Sequence, residues 1–292
     1  MNRTPLKNIV LKQVKRLIKQ LRFAKHDFSL AEIHAFRVKY KKLRSFLKCI
    51  SDLSGNIYDN SDLKKINKIY KLLGAIRDIQ LQQQRILEIS TSDRWIPLEY
   101  IKYLQEKIKT LIVKFNQISI ERSVKDLRRY IHDIHLNKIS SKQIELYFEN
   151  AFKDGIRIEN YDNIRDKDIH KLRSIGKDLA NNLSVLSKNR WLKSSQILYL
   201  AERKKIPFVT LLEEMGDFQD RCLAINFLDE SHLTSLTKSN RDILIKYRLF
   251  WLRDKAKLKA DILKHIRKGR ITFLPITFIT KVVKPPSPKE YK

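Results

Sequence analysis

A row of basic residues at helical spacing is the part of this sequence best suited to chemistry. Its members are three or four residues apart: His34, Arg37, Lys41, Arg44 and Lys48. At 100° per residue they fall within an arc of about 80° on one side of a helix. The opposite side is apolar: Phe36, Leu43, Phe46, Leu47 and Ile50. Because charge of one sign is separated from a core-facing side, the pattern predicts a surface that binds a polyanion.

The chemistry of these residues favours phosphate groups. Arginine presents a planar fork of donors that matches phosphate oxygens, and lysine adds a mobile positive charge. We call the five residues, together with the adjacent Lys42, the basic stripe. Lys71 and Arg77 of a later segment are predicted to extend it. An ordinary solvent-exposed face is the alternative, because most helical Lys and Arg residues occupy such faces.

The second half of the chain contains a thinner copy of the stripe: His170, Arg173 and Lys177. Asp178 and Ala180 stand at the positions that Lys42 and Arg44 occupy in the first copy. We therefore include the three residues among the predicted phosphate-binding residues, but we expect this copy to bind anions less strongly than the first.

Each copy is followed by a helical segment in which a glycine precedes an aspartate by four residues. Gly74 precedes Asp78, and Gly216 precedes Asp220. Glycine inside a helix costs up to about 1 kcal/mol relative to alanine, so we expect both glycines to permit close approach between helices. The aspartates lie in basic surroundings and are predicted to orient a histidine or an arginine through charge-assisted hydrogen bonds. A weak surface ion pair is the alternative interpretation.

The chain as a whole is strongly basic. Its 292 residues include 61 Lys and Arg against 32 Asp and Glu, a formal net charge of +29. Since self-repulsion at this charge is destabilising, a polyanionic partner is expected, and nucleic acid, an anionic membrane and inorganic polyanions all qualify. No apolar run is long enough for a signal peptide or a transmembrane helix, so no membrane partner is predicted. The two cysteines, Cys49 and Cys222, are far apart, which favours a reducing, cytoplasmic location.

Residues for catalysis or metal binding do not occur at recognisable spacing. His132 and His135 are three residues apart but lack further ligands, so a surface role is favoured. The sequence has no glycine-rich nucleotide-binding loop, no nucleophile–base pair and no acidic cluster for Mg²⁺. It therefore predicts a binding protein rather than an enzyme, with no catalytic residue, no cofactor and no metal.

Few helix breakers interrupt the chain, which contains 6 Gly and 7 Pro, and the predicted fold is all-α. Apolar periodicity predicts eight helical segments: 6–25, 30–50, 62–90, 97–135, 141–157, 166–188, 193–229 and 239–268. Pro207 is expected to kink or split the seventh segment. Breaks are expected at residues 54–56, at Ser92 and Asp93, and at residues 189–190.

The segments form two sets of four in the same order. Each set contains a plain helix, a stripe helix, a helix with the Gly–Asp pair and a long closing helix. A repeat of about 140 residues suits a four-helix bundle, so we predict an internal duplication with halves at 1–136 and 137–270. Residues 271–292 are β-branched and then rich in proline, and they are predicted to form an extended, partly disordered tail.

These motifs resemble those of the conserved histidine α-helical domain (CHAD) family. The family's first signature, His-x-x-Arg-Val-x-x-basic-basic-Leu-Arg, is matched throughout by residues 34–44. Its Leu-Gly-x-x-Arg-Asp signature is matched by residues 73–78. The signatures of the second half are matched by His170, Leu172, Arg173, Lys177, Leu179, Gly216 and Asp220. The resemblance covers the chain from about residue 6 to residue 268.

The resemblance implies two four-helix bundles, related by a pseudo-twofold axis, whose basic helices line a central cavity. It also implies binding of inorganic polyphosphate, association with polyphosphate granules and no catalysis by the domain itself. Some members of the family carry a triphosphate-handling domain in the same chain. This sequence has no room for such a domain, so a stand-alone member is expected.

Two other functions stay open at this point. A nucleic-acid-binding protein would suit the charge equally well, but a recognisable module and exposed aromatic residues between the basic ones are missing. An enzyme that acts on phosphate esters through the histidines would lack metal ligands and a nucleophile. Polyphosphate has no bases, so only charge, phosphate hydrogen bonding and groove width could recognise it.

Overall fold

The computed structural model describes residues 5–54, 63–93, 95–133, 139–154, 164–188, 205–229 and 233–266. These residues contain nine α-helices and no strand: α1 (Pro5–Asp27), α2 (Leu30–Leu53), α3 (Lys64–Asp93), α4 (Leu98–Asn116), α5 (Ile120–Asp133), α6 (Ser141–Asp154), α7 (Asp166–Lys188), α8 (Lys205–Asn226) and α9 (Lys238–His265). The predicted all-α class is therefore confirmed. None of the described helices is both long enough and apolar enough to cross a membrane.

Most of the predicted helical segments agree with observed helices. Five of them match single helices with ends displaced by no more than three residues: α1, α2, α3, α7 and α9. The fifth predicted segment, 141–157, begins at Ser141 as predicted, and its helix α6 is described as far as Asp154. Of the expected breaks, Ser54 ends α2, whereas α3 continues through Ser92 to Asp93. Residues 55–56 and 189–190 lie outside the described residues.

The prediction of one long helix over residues 97–135 is wrong, because α4 and α5 are separate helices. Residues 117–119 lie between the two helices and are not helical. The Ser119 hydroxyl accepts a hydrogen bond from the Arg122 amide (3.3 Å), and the Ser119 carbonyl accepts one from the Ser123 amide (3.1 Å). Serine at this position caps the start of a new helix and satisfies an amide that has no partner within it.

The expected kink or split at Pro207 stays a prediction. Helix α8 is described from Lys205, so Pro207 lies at the edge of the described residues. Residues 193–204 of the predicted seventh segment lie outside the described part of the chain.

The chain divides into two compact units. The first consists of Met1–Lys138 and Asp220–Ala256, and the second consists of Ile139–Gln219 and Lys257–Lys292. Segment 220–256, which the repeat places in the second half, thus packs with the first unit. The division into repeated halves at 1–136 and 137–270 stays a prediction, and the predicted tail at 271–292 lies outside the described residues.

Helical packing in the first unit positions the basic stripe. Helix α2 packs against α1 and α3, α4 packs against α3, and α5 contacts both α1 and α3. The predicted apolar side of α2 is fully buried, with its five residues at most 1% exposed: Phe36, Leu43, Phe46, Leu47 and Ile50. Burial of one whole side fixes the rotation of α2 about its axis, so the opposite side must face solvent.

The second unit is built in the same way around the second stripe copy. Helix α7 buries Ile169, Leu172, Leu179 and Leu186, which follow one another at helical spacing. Helix α8 contributes Leu211, Leu212 and Met215 to the buried residues of this unit. His170 is exposed, while Arg173 and Lys177 are half-buried.

Candidate functional site

Helix α2 is terminated by local hydrogen bonds at both ends. Ser29 precedes it with extended backbone, and the Ser29 hydroxyl accepts a hydrogen bond from the Glu32 amide (3.3 Å). At the other end the Ser54 amide donates to the Ile50 carbonyl (3.0 Å). The stripe residues divide by exposure into an exposed set, His34, Lys41, Lys42 and Lys48, and a half-buried pair, Arg37 and Arg44. Four of the six stripe residues are therefore exposed and two are half-buried.

Arg37 does not point freely into solvent but lies against α3. Its Nη1 donates a hydrogen bond to the Tyr70 carbonyl (3.0 Å), and its guanidinium carbon lies 4.5 Å from the centre of the Tyr70 ring. Gly74 lies one turn further along α3. A β-carbon on Gly74 would come within 2.7 Å of the guanidinium carbon of Arg37, closer than such atoms can pack. The arginine is thus held between a carbonyl, an aromatic ring and a glycine.

Arg173 makes the corresponding contacts in the second unit. Its Nε donates to the Leu212 carbonyl (3.3 Å), and its Nη1 donates to Oε1 of Gln219 (3.1 Å). A β-carbon on Gly216 would lie 2.8 Å from Arg173 Nη2. Leu212 precedes Gly216 by four residues, just as Tyr70 precedes Gly74. In both units the arginine of the His-x-x-Arg motif therefore donates to the carbonyl one turn before the glycine.

The role of the two glycines corrects the sequence-based expectation. The sequence suggests that each glycine lets two helices approach closely. The nearest atoms to a β-carbon placed at either position instead belong to an arginine guanidinium: that of Arg37 at Gly74 and that of Arg173 at Gly216. Each glycine makes space for a long, charged side chain that crosses from the neighbouring helix.

A compact group of charges surrounds His34 in the first unit. Partial burial lowers the pKa of the His34 imidazole, and the positive charges of Arg77, Lys41 and Arg37 lower it further. The Asp220 carboxylate acts in the opposite direction. The neutral form of His34 is therefore favoured. Predicted site residues on α2, α3 and α8 thus lie within electrostatic range of one another.

Helix α3 contributes two partly buried arginines to this group. Burial lowers the pKa of Arg77 and of Arg85, and the Asp220 carboxylate opposes the effect in both. The Arg77 Nε is buried and has no hydrogen-bond partner among the residues that the structure describes. Arg85 Nη2 lies 3.7 Å from Asp220. The sequence-based site did not include Arg85, although it follows Asp78 by seven residues and so shares its side of the helix. Lys71, also on α3, is exposed.

The two aspartates act differently from each other. Burial raises the pKa of Asp78, and the charges of Arg37 and Arg77 oppose this shift. Within the described residues, no hydrogen bond reaches the Asp78 carboxylate, so it influences the arginines by charge alone. Asp220 pairs with Arg85. Arg37, the arginine of the first motif, donates its hydrogen bond to the Tyr70 carbonyl rather than to an aspartate.

No group of three or more His, Cys, Asp or Glu side chains in the described ranges could hold a metal ion. His132 lies at the end of α5, where its Nδ1 contacts the neighbouring Asp133 (3.0 Å). His135 lies outside the described residues.

Comparison with known proteins does not assign the chain to a group. No family model matches it, and no curated protein matches it significantly. Its function must therefore be inferred from the residues and contacts described above.

Proposed function

We propose that this chain binds inorganic polyphosphate through the basic stripe without transforming it, and that it belongs to the CHAD family. The observation that carries the proposal is the side of α2 opposite the core, where His34, Lys41 and Lys48 are all exposed, with the exposed Lys42 at its flank. Lys71 and Arg77 extend this surface onto α3. Charged donors at intervals of three and four residues suit a ligand that repeats phosphate groups along a line.

The paired arginine–glycine contacts support the family assignment. Arg37 with Gly74, and Arg173 with Gly216, occupy matching motif positions and make matching backbone hydrogen bonds. Such a correspondence is expected of an internal duplication. The shared basic cavity, the cytoplasmic location and the association with polyphosphate granules that the resemblance implies are part of the same proposal.

Competition between ligands tests the choice of polyanion. Labelled long-chain polyphosphate is bound at moderate salt and challenged with single-stranded and duplex nucleic acid at equal phosphate concentration. We expect nucleic acid to displace it poorly, because the aromatic residues between the stripe cations, Phe36, Tyr40 and Phe46, are buried and cannot stack on bases. Efficient displacement at equal charge would favour the nucleic-acid-binding alternative and overturn the proposal.

Charge reversal on α2 tests the location of the site. Lys41→Glu with Lys48→Glu should weaken polyphosphate binding roughly tenfold or more, since each change removes a phosphate contact and adds a repulsive charge. The matched control is Lys102→Glu with Lys114→Glu, which changes the same net charge at two exposed positions on α4. If the control weakens binding as much as the α2 variant, affinity follows net charge and the stripe is not a site.

Prolonged incubation tests the absence of catalysis. Polyphosphate or ATP is incubated with the protein, and released phosphate is measured. We expect no release above the rate without protein. Turnover that His34→Ala abolishes would instead identify an enzyme.

A further inference from the structure

A second row of cations lies on α5, away from the basic stripe. Helix α5 buries Ser123, Leu127 and Ile131, which fall on one side. Its other side carries Arg122, Lys125 and Arg129, all exposed and spaced by three and four residues. At 100° per residue these three lie within an arc of about 60°. This spacing repeats that of the stripe, although α5 belongs to neither of the motifs that predicted the site.

These cations line a surface cleft between α5 and the start of α3. The cleft has a volume of about 570 Å³, and Lys65 of α3 lines it together with the three α5 cations. The Ser119 hydroxyl and the carboxylates of Asp126 and Glu121 complete the lining. Four cations against two carboxylates leave the lining positive.

Only some of the cations in the cleft are paired with a carboxylate. Lys65 donates to Asp126 (2.5 Å), and Arg129 lies 3.5 Å from the same carboxylate. The hydrogen bond from Lys65, followed by the nearby positive charges, lowers the pKa of Asp126. Arg122 and Lys125 have no side-chain partner of this kind among the described residues. Their donors are therefore accessible to an anion in the cleft.

Exposed lysines on α3 connect the cleft with the stripe. Gly74, which Arg37 contacts, and Lys65, which contacts Asp126, point about 180° apart around the α3 axis. Between them, in order around the helix, come three exposed lysines: Lys71, Lys64 and Lys68. Cationic side chains therefore form a band across α3 from the α2 side to the α5 side.

From these positions we infer that the α5 cleft is an extension of the polyanion path, which long chains reach and short ones do not. This inference rests on the proposed function. Gly74 and Lys65 are nine residues apart, so at 1.5 Å per residue the path extends about 14 Å along the α3 axis. It also crosses the width of the helix. A chain already bound at the stripe meets the cleft at high effective concentration, whereas a short oligophosphate occupies one of the two surfaces.

Two ligands and two variants test the inference. Arg122→Gln with Lys125→Gln should weaken binding of long-chain polyphosphate about fivefold and change tripolyphosphate binding less than twofold. Loss of two phosphate contacts should also make the slope of log affinity against log salt shallower by about 1.4, by analogy with single-stranded nucleic acids. The variant Lys41→Glu with Lys48→Glu should weaken binding of both ligands. Circular dichroism and thermal unfolding establish that each variant is folded, and glutamine keeps the helix propensity of α5.

The outcomes separate this inference from the proposed function. Unchanged long-chain affinity in the α5 variant, or an equal loss for both ligands, would overturn the extended path while leaving the stripe intact. Full binding of both ligands by the α2 variant would instead overturn the proposed function, whatever the α5 variant does. Selective loss of long-chain binding in the α5 variant supports the extended path.

Discussion

The guanidinium of Arg37 occupies the space that a β-carbon on Gly74 would require. Its carbon atom lies 2.7 Å from the position of such an atom, while its Nη1 donates to the Tyr70 carbonyl at 3.0 Å. The helical amide of Gly74 uses the same carbonyl, since a backbone oxygen has two lone pairs. The glycine and the arginine therefore depend on each other, although they are 37 positions apart in the sequence.

Replacing Gly74 with alanine should destabilise the protein by about 0.5 to 2 kcal/mol. The new methyl group would displace the guanidinium and break a charged hydrogen bond worth about 1.5–3 kcal/mol, against a gain of up to about 1 kcal/mol in helix propensity. Urea denaturation measures the free energy of unfolding. In an Arg37→Ala background the same change should become stabilising, because only the propensity term is left. Destabilisation of equal size in both backgrounds would show that the arginine is not the cause.

Arg37→Lys and Arg44→Lys should have different effects although both keep the charge. Lysine at position 37 cannot reproduce the planar contact with Tyr70 and its carbonyl, so the free energy of unfolding should fall by about 1–2 kcal/mol. At position 44 the change should stay within about 0.5 kcal/mol. Thermal unfolding compares the two, and polyphosphate affinity measured well below both transitions should change less than about threefold. A large loss of affinity in the folded Arg37→Lys variant would identify Arg37 as a direct phosphate ligand.

We expect the protein to take up protons when it binds polyphosphate at a pH just below 6.5. The pKa of His34 in the folded protein is lowered from 6.5. As the pH falls below 6.5, the imidazole is protonated in the unfolded chain before it is protonated in the folded one, so His34 lowers the free energy of unfolding. A bound polyanion raises the pKa of the imidazole, and the complex therefore binds additional protons. Calorimetry in buffers of different ionisation enthalpy measures this uptake. His34→Gln should remove most of it, while His26→Gln, an exposed position on α1, should leave it unchanged.

Asp78→Asn should strengthen polyphosphate binding about three- to tenfold. The carboxylate has no hydrogen bond in the described structure, so its removal takes away negative charge beside Arg37 and Arg77, worth about 1 kcal/mol at an intermediate effective dielectric. Since burial raises the pKa of Asp78, its ionised form is disfavoured by folding, and the substitution should not lower stability. Fluorescence titration with labelled polyphosphate measures the affinity, with Glu88→Gln on the exposed part of α3 as control. Weaker binding by folded Asp78→Asn protein would establish the orienting role that the sequence suggests.

The surface of α2 is predictable from sequence because helical spacing alone determines which residues share a side. The five apolar residues opposite the stripe are all buried. The position of the arginine contact is not predictable in the same way. Periodicity indicates that Arg37 lies on the charged side, but it does not identify the neighbouring helix that the long side chain crosses, nor the carbonyl that it reaches.

Other differences arise from contacts between distant parts of the chain or from short local signals. The pairing of Arg85 with Asp220 joins positions 135 residues apart, so spacing along one helix could not identify it. The break between α4 and α5 does have a local signal, since Ser119 is followed by Glu121 in the first turn. The apolar periodicity continues on both sides of Ser119, so periodicity alone predicts one uninterrupted helix there.

Cys49 lies on the core side of the same helix that carries the stripe, and it is fully buried. A thiol reagent can reach it only when α2 separates from its neighbours, so its labelling rate reports the opening of that helix. A ligand held on the outer side of α2 and on α3 favours the closed state and slows the reaction. The thiol behind the candidate site is thus a built-in reporter, whose reaction rate measures occupancy without any label on the ligand.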